Sequence, residues 1–275
     1  MLSLAQPLPV LLLLLVAGAG VAAAYGLCVG LNWRTPNWQG RAIPSSVGLG
    51  FLSVVWAGVL LGTRDAAAPR WLLPAGVTCF AALGLLDDRL GSREFSGLRG
   101  HVRALLRGKL TTGALKLLCG TGVALAAGLL LYRQEPLRGV VAGAVIALSA
   151  NLVNLLDCRP SRALKGFWLL AALTLAAGNH ELRPWLMALV VATVVYAPLD
   201  FRCCAMMGDA GSNQLGAVLG SCWALGAMFP VQLALLALLL GFHVFTERYS
   251  VTAIADAHPA LRWLDRLGVA TRAEP

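Results

Sequence analysis

Nine stretches of the chain are apolar almost without interruption: residues 8–31, 46–62, 71–86, 111–132, 137–156, 165–178, 184–199, 211–228 and 230–245. They are continuous runs rather than the alternation of a membrane β-strand, so they predict helices, although several, 165–178 and 230–245 among them, are short of the ~20 residues a straight span needs. The expected fold is all-α: a polytopic integral membrane helix bundle of about nine transmembrane helices. Residues 1–245 would form the membrane domain and 246–275 a polar cytoplasmic tail. The first stretch also carries a small-residue site at Ala22-Ala23-Ala24, as a signal peptide would. No positive charge precedes it and eight further spans follow, so it is read as a helix.

Composition narrows the class. The chain has 275 residues, 58% hydrophobic and 13% charged. Soluble domains run about 45–50% apolar and about 25% charged, which excludes a soluble domain with one apolar tail. Glycine follows no fixed period, which excludes a collagen-like chain. Seven cysteines occur without a Cys-x-x-Cys pair, so neither a zinc site nor a disulfide framework is expected.

The net charge of +9 would suggest nucleic acid in a soluble protein. Here the basic residues sit between apolar stretches, where they set topology. With the N-terminus outside, the cytoplasmic regions carry 16 Lys and Arg and the outer loops 5 (Arg64, Arg70, Arg133, Arg138, Arg183). That bias favours a cytoplasmic C-terminus. Seven of the eight aspartates fall on the same side, all but Asp65. The positive-inside effect does not require this, so clustered carboxylates at helix ends point to cation binding.

Four segments carry the candidate chemistry. In Leu85-Leu86-Asp87-Asp88-Arg89, two carboxylates end an apolar helix. Such a pair needs a cation or hydrogen-bonding substrate, or it is a solvated helix end paired with Arg89 or Arg93. Asn151 and Asn154 share a helix face and Asp157 follows three residues on. They line a site or bond neighbouring helices together. In Met207-Gly208-Asp209-Ala210-Gly211-Ser212, glycines allow close backbone approach at a helix start, with Asp209 a metal ligand or an N-cap. The loop from Arg89 to Lys109, with Arg93, Arg99, His101, Arg103 and Arg107, binds phosphate or only sets topology. Lys116, one turn into a span, is a functional candidate unless it snorkels. Asn37 to Pro44 reads as a polar turn before the second span, either a simple connection or a loop that contacts substrate. His101, His180, His243 and His258 form no close cluster.

Taken in order, Gly84-Leu85-Leu86-Asp87-Asp88, Asn151 to Asp157 and Met207 to Ser212 resemble the polyprenyl-phosphate sugar-1-phosphate transferases. The resemblance runs over about residues 35 to 245, and Gly40 to Gly48 is similar to that family's first cytoplasmic loop. It implies attack of a polyprenyl (undecaprenyl) phosphate on a UDP-sugar at the cytoplasmic membrane face, with Mg²⁺ as cofactor and UMP released. By motif match it gives Asp87, Asp88 and Asp209 catalytic roles, and Asp209, Asp88 and Asp157 the metal. Lys116 or else Lys109, with Asn151, Asn154, Asp157 and Gly208, would bind substrate, and Arg159, Arg162 and Lys165, where the chain departs from the family, would take over diphosphate contacts. Implied partners are the lipid, the UDP-sugar and the membrane, not nucleic acid; a homodimer is allowed for.

The sequence departs from the family where Cys158-Arg159-Pro160-Ser161 follows Asp157, in place of a run with a second aspartate. It also lacks a late histidine-rich loop and a final span. Two other classes therefore stand beside a transferase: a non-catalytic membrane scaffold or nucleotide- or lipid-binding protein of the same fold, and a transporter. No clear internal repeat supports the last.

Overall fold

The computed structural model describes residues 7–61, 71–91, 100, 104, 106–109, 111–177 and 182–270. Arg64, Asp65, Arg70, Arg93, Arg99, His101, Arg103 and His180 lie outside the described residues.

The chain is almost wholly helical. Helix α1 spans Pro7–Gly30, and a short antiparallel hairpin follows, β1 (Arg34–Pro36) paired with β2 (Ala42–Pro44), Thr35 opposite Ile43. A 3₁₀ turn, Val47–Phe51, leads into α2 (Leu52–Leu61). Then come α3 (Leu72–Leu90), α4 (Thr112–Leu131), α5 (Pro136–Leu156), α6 (Arg162–Ala176), α7 (Arg183–Phe201), α8 (Gly208–Gly226) and α9 (Phe229–Thr246). Two short helices, α10 (Val251–Ala257) and α11 (Pro259–Arg266), complete the described residues.

The described residues of each of the nine apolar stretches are largely helical, because a helix satisfies the backbone locally and leaves its side chains to pack. Among the described residues, five helices are long and apolar enough to cross a membrane: α1, α4, α5, α7 and α9. Helices α2, with 10 residues, and α6, with 15, are short of that length. Helix α3 ends on Asp87, Asp88 and Arg89, and α8 carries Asp209, Ser212, Asn213 and Gln214. These polar residues face the interior: Ser212, Asn213 and Gln214 are all buried.

Helix α8 is the hub, buried over most of its length. It packs on α5, α3, α6 and the 3₁₀ turn. Small residues permit the approach. A Cβ at Gly216 would strike the Ser149 carbonyl and Ala150 of α5, and one at Gly220 would strike Ile146. Gly128 of α4 meets Gly139 and Gly143 of α5 in the same way. Close packing of this kind replaces the hydrophobic drive that lipid cannot supply between helices. By contrast α9 leaves Leu233, Leu238, Leu240 and Val244 exposed, as lipid-facing surface requires.

The polar turn expected at Asn37 to Pro44 is the hairpin loop. The Asn37 side-chain oxygen accepts from the backbone N–H of Gln39 (2.9 Å) and of Arg41 (3.0 Å). Beyond it the backbone is pinned to the segment before α8. Met206 N–H donates to Pro44 O at 2.8 Å, and Gly48 N–H to Met207 O at 3.0 Å.

Candidate functional site

Helices α3, α5 and α7 stop at the end of the bundle where α2, α4, α6 and α8 start, and the acidic motifs meet there. Lys116, in the second turn of α4, links two of them. Its ammonium lies 2.8 Å from Asp87 and forms a direct ion pair with Asp209. It does not snorkel away. Thr112, four residues earlier on the same face of α4, donates its hydroxyl to the other Asp87 oxygen at 2.7 Å. Asn154 of α5 completes the cluster. Its amide is assigned with nitrogen toward Asp209 (2.8 Å) and Ser212 Oγ (3.1 Å), and oxygen toward Lys116 Nζ (3.2 Å). Four helices thus contribute to a connected polar group: α3 with Asp87, α4 with Thr112 and Lys116, α5 with Asn154, and α8 with Asp209 and Ser212.

The adjacent aspartates divide their work. Asp88 turns away from Lys116 and caps α8 from outside that helix. One oxygen accepts from Asp209 N–H at 2.9 Å; the other accepts from Ala210 N–H at 3.3 Å and from the Ser46 hydroxyl at 2.7 Å. A carboxylate on a helix N-terminus is favourable through both hydrogen bonds and the dipole. The cap that Asp209 was considered for is therefore supplied by Asp88, which leaves the Asp209 side chain directed at Lys116 and Asn154. Gly208 makes this possible: its φ is +69°, and a Cβ there would strike the Asp88 carboxylate. Gly84 likewise lets α3 rest against the Asp209 backbone.

The backbone N–H of Asp157, at the C-terminal cap of α5, donates to Asn154 O at 3.1 Å, but its carboxylate has no hydrogen-bond or ion-pair partner among the described residues. Burial, then the carboxylates of Asp200, Asp209 and Asp88, push its pKa well above the usual carboxylate range. It lines a cavity of about 50 Å³ with Asp200, Trp38, Arg159 and Cys203. Trp38, Arg159 and Pro160 also border an adjoining groove of about 280 Å³, closed on its far side by Asp256, Arg262 and Arg266.

The remaining sequence candidates separate. Asn151 makes no side-chain hydrogen bond among the described residues. Lys109 is exposed and outside the cluster. Arg159 lies 4.8 Å over the Trp38 ring and 3.0 Å from Asp256, so it faces the groove. Arg162 and Lys165, considered for diphosphate, are engaged elsewhere. Arg162 grips Asp265 with two bonds, 2.8 and 2.6 Å, and reaches Thr252 at 2.9 Å. Lys165 donates to the Leu264 and Asp265 carbonyls. Both hold residues 251–270 against the start of α6.

Sequence reasoning gave no individual role to Ser46 or Thr112, and took in Trp38 and Asp200 only as part of the polar turn and of the clustered aspartates. Thr112 had a usable signal, its four-residue spacing from Lys116. Asp200, buried in the last turn of α7, accepts from Ser161 N–H at 2.6 Å. Its partner is 39 residues away, which no local pattern reveals.

No family model matches the chain, and no curated protein matches it in sequence. Function therefore rests on the site. Among the described residues, no three His, Cys, Asp or Glu side chains form a ready metal cage. Mg²⁺ seldom needs one, since it commonly takes one or two carboxylates, waters and substrate phosphates. Asp87 and Asp209 offer hard carboxylate oxygens of that kind, and among the described residues Lys116 is the cation in ion-pair contact with both.

An apolar cavity of about 620 Å³ lies between α5, α6, α8 and α9. Leu152, Leu173, Trp223, Leu235 and Phe242 line it. Leu152 stands on the turn of α5 that also carries Asn151 and Asn154.

Proposed function

We propose that the protein is a Mg²⁺-dependent transferase that moves a sugar-1-phosphate from a UDP-sugar to a polyprenyl phosphate, in the manner of the family its motifs resemble. The observation that carries this reading is the meeting of Asp87, Lys116, Asn154 and Asp209, from four helices, in a group with more carboxylates than cations. In this reading the nine apolar helices form a bundle in the cytoplasmic membrane, α2 and α6 being too short to span it straight, with the N-terminus outside and the polar end facing the cytoplasm.

The reaction joins a lipid phosphate oxygen to the β-phosphorus and breaks the bond from that phosphorus to the α-phosphate oxygen, so UMP leaves. Both reactants are anions, and bringing them in line requires positive charge. Mg²⁺, held by Asp209 and Asp157, supplies charge neutralisation when bound. Lys116 offsets the charge of the lipid phosphate, and Asp87, fixed by Thr112, orients Lys116 and accepts a phosphate proton. Asp88 positions Asp209. The groove beside Trp38 and Arg159 receives the soluble nucleotide, and the apolar cavity takes part of the lipid tail.

The test is direct. Purified protein with Mg²⁺, undecaprenyl phosphate and a panel of radiolabelled UDP-sugars should yield a lipid-linked product and UMP. Asp209→Asn should abolish UMP release, and normal turnover in that variant would defeat the metal assignment. One observation favours a non-catalytic reading: Arg162 and Lys165 are held by residues 251–270 rather than free for a diphosphate. That reading predicts nucleotide binding without UMP across the whole panel.

A further inference from the structure

Helix α11 is built with its polarity reversed relative to a surface helix. At 100° per residue, Ala260, Leu261, Trp263, Leu264 and Leu267 share one half of its circumference, while Arg262, Asp265 and Arg266 share the other. A helix on a water-facing surface turns its apolar half inward. Here the polar half meets the protein, through Asp265 on Arg162 and Ser161 Oγ on the Asp265 carbonyl (3.3 Å). The apolar half points out: Trp263 is 64% exposed, Leu264 48% and Leu267 46%.

Depth fixes what lies outside. Lys165, in the first turn of α6, donates to the Leu264 carbonyl at 2.6 Å. Ala270 N–H donates to the carbonyl of Phe201, the last residue of the membrane-length helix α7, at 2.9 Å. The helix therefore sits level with the ends of the apolar segments. On α6 itself, Leu169, one turn beyond Lys165, is also an exposed apolar residue. Arg266, at the edge of the polar half, has no ion pair among the described residues.

We infer that α11 is an interfacial helix whose Trp263 face enters the headgroup–acyl boundary of the leaflet at the polar end of the bundle, with Arg266 left for lipid phosphate. Tryptophan favours that boundary, amphipathic helices lie in it, and arginine is attracted to anionic headgroups. The Arg162–Asp265 clamp then ties this anchor to the loop between α5 and α6, next to Asp157 and Arg159. The inference requires a membrane protein but not the transferase reaction.

The test uses the full chain in nanodiscs of phosphatidylcholine and phosphatidylglycerol, with and without lipids brominated near the headgroup end of the acyl chain. The signal is the tryptophan emission of the wild type minus that of Trp263→Phe, which keeps an apolar ring. Brominated lipid should lower this difference by about twofold or more, and aqueous iodide should leave it unchanged. Moving the indole one place, with Leu264→Trp in the Trp263→Phe background, should restore a bromine-quenched component. Quenching by iodide and not by bromine would put the face in water. Insensitivity to both would mean that protein, such as a second copy, covers it. Either result overturns the inference, whatever the UMP assay shows.

Discussion

The two charged clusters at the polar end use the same chemistry to opposite ends. Around Arg162 every strong group is spent: the guanidinium takes both Asp265 oxygens and Thr252, in a pair whose side chains are 9% and 13% exposed. Around Lys116 the balance is uneven. One ammonium serves Asp87 and Asp209, while the Asp157 carboxylate has no partner among the described residues and Asp88 is occupied by amides and Ser46. A closed pair of charges fixes a segment in place. An open cluster with surplus carboxylate retains an affinity for cations, and such unfavourable groupings concentrate at functional sites.

The largest effect should come from breaking the closed pair. Arg162→Ala leaves Asp265 buried without its cation, which costs about 3–5 kcal/mol. The melting temperature in detergent should drop sharply, and the double variant with Asp265→Ala should recover much of the loss. If the single variant melted like wild type, the clamp would not be the stabilising device described.

The open cluster should answer differently. Lys116→Met should reduce UMP formation by about 10²–10³, the usual cost of a lost electrostatic stabiliser. Its thermal stability should depend more strongly on Mg²⁺ than that of the wild type, because the carboxylates have lost their internal cation. A variant destabilised to the same degree with or without Mg²⁺ would make this cluster another closed structural network.

Gly208→Ala forces a side chain into the left-handed region, at about 1–2 kcal/mol, and pushes on the Asp88 carboxylate. Gly26→Ala, where an added Cβ meets nothing within 4 Å, is the control and should show no such loss of stability. Calorimetry of the two variants separates the requirement at the α8 start from the general effect of removing a glycine.

The smallest effect concerns pH. Asp157 binds its proton more tightly in the folded protein than in the unfolded chain, because of burial and the carboxylates of Asp200, Asp209 and Asp88. The unfolded chain then holds fewer protons above pH ~4, so this stabilising contribution is present below that pH. It is lost as pH rises through the elevated native pKa. With chelator present, the melting temperature should decline over that rise, Asp157→Asn should flatten the decline, and Mg²⁺ should counteract it. A wild-type profile identical to that of Asp157→Asn would remove Asp157 from the open cluster.

Much of the fold was legible because membrane helices announce themselves through uninterrupted apolar runs, and the described residues of all nine stretches are largely helical. The site was legible in part. Asp87, Lys116, Asn154 and Asp209 stand out as polar groups at or inside apolar segments. The division of labour between Asp87 and Asp88 was not readable. Neighbours on a helix point about 100° apart, and their partners, Thr112 and Asp209, are 25 and 121 residues away. Arg162 misled for a related reason: a cation next to an acidic motif looks like a phosphate ligand until a distant carboxylate claims it. The hairpin was missed because its three-residue strands are too short to show alternation.

The sequence alone determined that this chain is an all-helical protein with membrane-length segments, and that its acids gather at helix ends. Composition and hydropathy act locally, so they need no partner to be read. Only the tertiary structure decided which acids share Lys116, which one caps α8, and which cations are consumed in holding residues 251–270. Those outcomes depend on pairs of groups far apart in the chain, whose charges and hydrogen bonds acquire a direction only when the helices pack.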